Sequence, residues 1–439
     1  MEQGHQPAAG PLERLFKLSE HGTTVRTELL AGATTFVTMA YIIFVNPQMM
    51  AAAGMDPQAA FVATCLASAL ACYLMGLYAN WPVGLAPGMG LNAFFTYTVV
   101  ADMGYSWQVA LGAVFLAGVL FVIMSVTRLR RWMLDSIPLD LRVAMGAGVG
   151  LFVGFIGLKS GGIIIASDAT FITLGDLKQP EPFLAALGFL VIAILSIRKV
   201  HGAIIIGILG ITGIALGSGL VQYQGLVAAP PSIAPVFLQL DVLGALDVAM
   251  TSVIIAFLFV NLFDTAGTLL GVANRAGLVQ ADGSIRNLDR ALKADSTSSV
   301  FGAFLGCAPV TSYVESAAGV AAGGRTGLTA VTVGSLFLVA IFFAPLAAMV
   351  PAFATAGALI YVAMLMLTSL QGLLWEDMTE VVPALLTVVM IPLTFSIANG
   401  IAVGFISYVA IKLFVGRRQD ISAGAWFLAL IFIAKFALM

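Results

Sequence analysis

The sequence predicts an all-α polytopic membrane protein, with fourteen spans arranged as two inverted seven-span repeats. Three observations predict it. Of 439 residues, 60% are hydrophobic and only 10% charged, against about 25% charged in soluble domains. Apolar runs recur along the chain, many near the roughly 20 residues that a helix needs to cross about 30 Å of hydrocarbon. Two short motifs return about half a chain later, each where the apolar pattern is interrupted. No basic patch interleaves with aromatics, so no nucleic-acid partner is expected.

The chain opens on "MEQGHQPAAGPLERLFKLSEHGTTVRTELL" (1–30), polar and mildly amphipathic. It lacks the apolar core and small-residue cleavage site of a signal peptide. Apolar segments then fall at 28–46, 59–79, 88–100 and 107–127, at 139–158, 183–197 and 202–221, at 246–271, 295–306, 313–322 and 327–349, and at 354–373, 379–396 and 398–415. These are spans 1 to 14. A last apolar stretch, 423–438, follows "GRRQD" and either crosses or lies along the surface. Segments 88–100 and 313–322 are too short to cross as plain helices.

The loops orient the chain. With the N-terminus inside, the cytoplasmic loops hold Arg14, Lys17, Arg26, Arg128, Arg130, Arg131, Arg142, Arg198, Lys199, Arg275, Arg286, Arg290, Lys293, Arg325, Arg417 and Arg418. That is sixteen of the twenty Lys and Arg residues, the asymmetry that positive-inside topology requires. The opposite loops, such as "PQMMAAAGMDP" and "SDATFITLGDLKQPEP", are acidic or neutral.

The repeat is seen in "GLAP" (84–87) against "GCAP" (306–309), each before a short apolar half-span. "FVNP" (44–47) and "FVNL" (259–262) are expected to end or bend a long span. Seven spans per repeat turn the second copy upside down, the plan of many secondary transporters. Non-helical backbone cannot face lipid, because each unsatisfied N–H or C=O costs several kcal/mol. Gly84–Pro87 and Gly306–Pro309 are therefore expected as buried extended stretches, each leading into a half-helix that starts near mid-membrane. Gly88, Gly90, Asn92, Val314 and Glu315 would line a polar cleft there. "GMGLNA" (88–93) also fits a dinucleotide fingerprint, but that motif needs a soluble strand–turn–helix and an acidic residue about 20 positions on. The Gly-rich runs 146–154 and 400–404 suit close helix packing, and are expected to form a surface on which two domains slide.

Ionisable residues inside spans cost on the order of 3 kcal/mol even on gentle scales. Two stand out. Asp264 has Asn261, Thr265 and Thr268 as expected hydrogen-bond partners, and Glu315 is flanked by Thr311, Ser312, Tyr313 and Ser316. Such a pair can bind substrate and take up and release protons. Lys159, Lys412 and Lys435 sit towards span ends and are expected to snorkel. Cys65, Cys72 and Cys307 give neither a disulfide framework nor a metal spacing. His5, His21 and His201 fall outside the membrane core. No nucleophile elbow is present, so no enzyme is expected.

With "GLAPGMGLNAFF" (84–95), "NLFDTAGTLLGVANRAGL" (261–278) and "APVTSYVESAAGVAAGGRTGLTAV" (308–331), the sequence resembles the nucleobase:cation symporter-2 family, in its adenine/guanine/hypoxanthine permease branch. The resemblance runs from "TELLAGATTFVTMAYIIFVNPQ" (27–48) to "IPLTFSIANGIAVGFISY" (391–408). It implies a cytoplasmic segment (1–27), a core domain of spans 1–4 and 8–11 (28–127 and 246–349) and a gate domain of spans 5–7 and 12–14 (138–221 and 354–439). Short antiparallel strands would begin spans 3 and 10. It places the family's carboxylates on Asp264 and Glu315, the ligand position of span 3 on Asn92 and a polar contact on Thr268. Thr38 would face the site, beside Tyr313 and Val314.

The implied function is proton-coupled import of purine nucleobases (adenine, guanine, hypoxanthine) across the cytoplasmic membrane by alternating access. Asp rather than Glu in span 8 favours purines over uracil. No cofactor or metal is expected, since the proton gradient supplies the energy; a homodimer in the lipid bilayer is a further expectation. The alternative is an anion transporter of the same fold. Two carboxylates in the cleft argue against it.

Overall fold

The computed structural model describes residues 10–127, 137–280 and 284–438. His5, Arg128, Arg130 and Arg131 and the side chain of Lys435 lie outside the described residues. The predicted spans are all found. Span 1 is Val25–Met39 with Ile42–Ala52, span 2 Pro57–Leu74 with a wider π-helical turn, Met75–Ala79. Span 3 is a strand, Leu85–Pro87, then Met89–Ala93 and a π-helical stretch, Phe94–Asp102. Spans 4 to 7 are Trp107–Val126, Leu139–Ser160, Pro180–Ile197 and Ala203–Gly217. Spans 8 and 9 are Val248–Ala276 and Leu288–Phe304, and span 10 is a strand, Val310–Ser312, followed by Ser316–Ala321. Spans 11 to 14 are Gly327–Met349, Ala352–Leu367, Met378–Leu393 and Ile397–Phe414. A further apolar helix, Ala423–Leu438, packs along span 14.

Two groups of helices emerge from the packing. Span 5 lies against spans 12 and 13, span 6 against spans 7 and 12, and span 13 against span 14. In the second group span 11 packs on spans 1 and 2, span 9 on spans 2 and 4, span 8 on span 4, and the half-helix of span 10 on span 1. The half-helix Met89–Ala93 meets span 5, where Gly90 has room only for a hydrogen under Val149.

Three details differ from the sequence reading. First, "FVNP" and "FVNL" do not end their spans. Span 1 bends at Ala40–Tyr41, where Ile43 N and Phe44 N turn to carbonyls three residues back, at 3.1 Å each. The bend lies nearly two turns before Pro47, whose ring crowds the carbonyl of Ile43 between them. Span 8 runs unbroken. What the motifs share is an asparagine. Asn46 donates to Thr64 of span 2 at 2.7 Å, and Asn261 donates to Ser299 of span 9 at 2.9 Å. Each repeat thus ties its first two spans with one buried amide. Second, the loop between spans 5 and 6 carries a hairpin, Ile164–Ser167 with Phe171–Leu174.

Third, the glycine-rich surfaces do not lie between the two groups. Gly148 faces Val388 and Ile391 of span 13, Gly150 faces Ala363 and Met366 of span 12, and Gly400 and Gly404 face Ile391 and Thr387. All are contacts within one group, where small residues let backbones approach. Gly150→Leu is therefore expected to lower thermal stability by roughly 1–3 kcal/mol through overpacking, not to slow a sliding step. The detergent-solubilised variant's unfolding temperature checks this; an unchanged value with slowed transport would restore the sliding surface.

Candidate functional site

The interruptions meet each other. The strands pair antiparallel, with Leu85 opposite Ser312, Ala86 opposite Thr311 and Pro87 opposite Val310. Gly88 N donates to Pro309 O (2.9 Å), and Tyr313 N to Gly84 O (3.0 Å). The second strand begins just after "GCAP", so both prolines lie at one end of the ladder. Their missing N–H groups leave no ladder bond unmade there. The turn into this strand requires Gly306, whose φ is 82° and whose Cα lies against Val236. Buried non-helical backbone is thus satisfied by its inverted counterpart, as the membrane demands.

Two of the hydroxyls around Glu315 brace this ladder. Tyr313 OH donates to Pro87 O (2.5 Å), and Ser316 Oγ accepts from Gly84 N (3.0 Å). Tyr313 is only 5% exposed, so its hydroxyl is not free for a ligand. Thr38 donates chiefly to Thr35 O (2.8 Å) and lies 3.5 Å from Glu315 O. The group that reaches the Glu315 carboxylate is Tyr41, whose hydroxyl donates to Oε1 at 2.7 Å.

Of the partners expected for Asp264, Thr265 serves another carboxylate and Asn261 a serine. Thr265 donates to Asp295 Oδ1 (2.7 Å) and Ser312 to Asp295 Oδ2 (2.6 Å), while Asn261 is bound to Ser299. Thr311 joins the two centres: its hydroxyl faces Asp264 and lies 3.1 Å from Thr265 Oγ1. Asp295 is fully buried, between spans 8, 9 and 10. The sequence reading missed it because span 9 begins seven residues before the apolar run, in "LDRALKAD". Its buried residues there, Ala291, Leu292, Ala294 and Asp295, face protein and need no hydropathy.

A cleft reaches these groups from one side. On span 8, Asp264, Gly267, Gly271 and Arg275 are exposed, and open space lies where side chains at the two glycines would be. These positions are three to four residues apart, one helix face. Towards the other end the same face is closed, with Val260 and Ala256 buried. On span 1, Leu30 is exposed and Thr34 and Thr38 half-buried, but Tyr41, Ile42 and Val45 are buried. Val314 is 60% exposed and Glu315 half-buried. Thus Asp264 lies deep within the molecule yet its side chain is open. The open positions on span 1 stop at the level of Tyr41 and, on spans 1 and 8, run towards the ends that bear Arg26 and Arg275.

Asn92 and Thr268 are both buried. Thr268, one turn past Asp264, is 8% exposed. Asn92 is fully buried on the half-helix Met89–Ala93, and among the described residues neither its Oδ1 nor its Nδ2 has a hydrogen-bond partner. An unpaired buried amide costs about 1–3 kcal/mol per group. The half-helix of span 10 is six residues long, whereas that of span 3 runs on without a break into the π-helical stretch Phe94–Asp102.

The far side of the cleft is sealed. Thr98 of span 3 donates to Phe395 O between spans 13 and 14. The rings of Tyr97, Phe152 and Phe155 stand edge-on to Phe395, with Lys159 Nζ 5.6 Å over it. Lys412, by contrast, does not snorkel. It is 2% exposed and pairs with Glu380 at 2.7 Å, with Asp420 at 3.8 Å. At that same end, Thr379 and then Arg417 hold the Asp377 carboxyl down to about 2.

Residues 26–403 match the permease family. The chain is 50% identical over 426 residues to the adenine permease AdeP of Escherichia coli, covering 97% of this chain and 96% of that one. It is 44% identical over 438 residues to the guanine/hypoxanthine permease PbuG of Bacillus subtilis, covering 97% and 99%. The transmembrane domain of the cyanobacterial bicarbonate transporter BicA shares the fold, with a TM-score of 0.66 at 17% identity over 85% of this chain and 96% of that one. The chain belongs to this permease family, the nucleobase:cation symporter-2 family that its motifs resemble.

Proposed function

We propose that the protein imports purine nucleobases across the cytoplasmic membrane, coupled to protons, by alternating access. The observation that carries this reading is the cleft itself: two carboxylates, Asp264 and Glu315, open to it deep in the membrane, beside a buried amide with no partner. A flat purine offers ring N–H donors and N or O acceptors that such groups can match. The names of AdeP and PbuG support the same substrate class. The basic face is read as cytoplasmic, so the cleft is open inward. The group of spans 5–7 and 12–14 serves as the gate against which the rest moves. An anion substrate is disfavoured, because two carboxylates in one cleft would repel it.

The test is uptake of labelled adenine, guanine, hypoxanthine, xanthine and uracil in cells lacking their own permeases, with and without a protonophore. Accumulation of purines that the protonophore abolishes supports the reading; uptake indifferent to it removes proton coupling. Asn92→Ala is expected to leave folding intact, since it deletes an amide that has no protein partner, while changing the rank order of purines. Competition binding on purified protein checks this. A variant that no longer reaches the membrane would make Asn92 structural.

A further inference from the structure

We propose that Tyr41 is a positioning residue for the substrate: it fixes Glu315 and takes one of its two oxygens, leaving the other for a single ring N–H. The proposal rests on the purine reading above and deepens it.

The geometry has three parts. Tyr41 sits at the bend of span 1, between Val25–Met39 and Ile42–Ala52, and is 1% exposed. Its hydroxyl donates to Glu315 Oε1 at 2.7 Å, across 274 residues of sequence. Among the described residues no other side chain donates to Glu315. The tyrosine is itself held. Its ring lies 6.4 Å from that of Tyr313, whose hydroxyl is anchored on Pro87 O in the strand ladder. A line of contact therefore runs from the first strand through Tyr313 and Tyr41 to the carboxylate.

This matters because Glu315 precedes a six-residue helix and is half-buried at an open cleft. A glutamate there has three rotatable bonds and freedom to turn into water. Fixing such a side chain in advance removes ordering cost from ligand binding, worth up to about tenfold in Kd. A hydrogen bond to a charged group is strong enough to do it. The bend places the phenol at this level, where the cleft closes.

The test compares Tyr41→Phe and Tyr41→His with wild type, each as monodisperse full-length protein. Adenine binding is followed by calorimetry, uptake by initial rates, and the Glu315 carboxylate by infrared difference spectra against Glu315→Gln. Tyr41→Phe should raise Kd and KM together about tenfold, with kcat within twofold, and shift the carboxylate band. Tyr41→His restores a ring donor and should recover part of the affinity. A Kd within twofold of wild type in Tyr41→Phe, a loss confined to kcat, or an unshifted band would overturn the proposal. Wild-type protein that binds no purine would instead defeat the purine reading, and the infrared arm would still decide whether Tyr41 holds Glu315.

Discussion

Glu315→Gln is expected to lower purine affinity roughly 30- to 150-fold, the 2–3 kcal/mol of a hydrogen bond to a charged group in a site removed from water. The substitution is close to isosteric, so packing is not the cause. Tyr41 donates to one oxygen of the carboxylate. A glutamine keeps its carbonyl oxygen towards that hydroxyl, so its NH₂ faces the ligand. A purine N–H would then meet a donor where it needs an acceptor. The fold should persist, because the strand ladder is braced by Tyr313 and Ser316 rather than by the carboxylate. Calorimetry with adenine and hypoxanthine measures the loss; wild-type affinity in the variant would remove Glu315 from the site.

The architecture was legible because the membrane leaves few options. Repeated apolar runs, charge bias and two proline-glycine interruptions sufficed for fourteen spans and for the meeting of spans 3 and 10. Asp264 and Glu315 were legible for the same reason, as carboxylates in apolar surroundings. Hydrogen-bond partners were not. Thr265 lies next to Asp264 in sequence, but adjacent helical residues point about 100° apart, and its hydroxyl serves Asp295. Tyr41 and Glu315 are joined only by the tertiary fold. Asp295 was hidden because the face of span 9 that carries it packs against protein and needs no apolar signature. Lys412 misled in the opposite way. Near a span end it reads as snorkelling, yet Glu380 on the neighbouring span offers a closer partner than the interface does.

The second large effect concerns Asp264. On the proposed mechanism it carries the coupled proton, so Asp264→Asn should retain purine exchange across the membrane and lose accumulation driven by a pH gradient. The argument starts from its surroundings. The carboxylate opens on a cleft and faces the Thr311 hydroxyl, with no Lys or Arg beside it among the described residues. While the cleft is open, water solvates the charge. When the site is sealed for the crossing, a bare carboxylate loses that solvent at a cost of several kcal/mol. Protonation removes the cost, and Thr311 remains as a hydrogen-bond partner. Asp295 adds to the bias, since it shares the Thr311–Thr265 pair, and two ionised carboxylates so placed repel each other in a low dielectric. Asparagine is permanently neutral. It can cross in either direction with the purine bound, but it can neither collect a proton outside nor release one inside. Counterflow of labelled adenine in proteoliposomes should therefore survive, while an imposed pH gradient should no longer raise the internal concentration above the external one. Accumulation as steep as wild type in Asp264→Asn would take the proton away from Asp264 and leave Asp295, in the same hydroxyl network, or Glu315 to carry it.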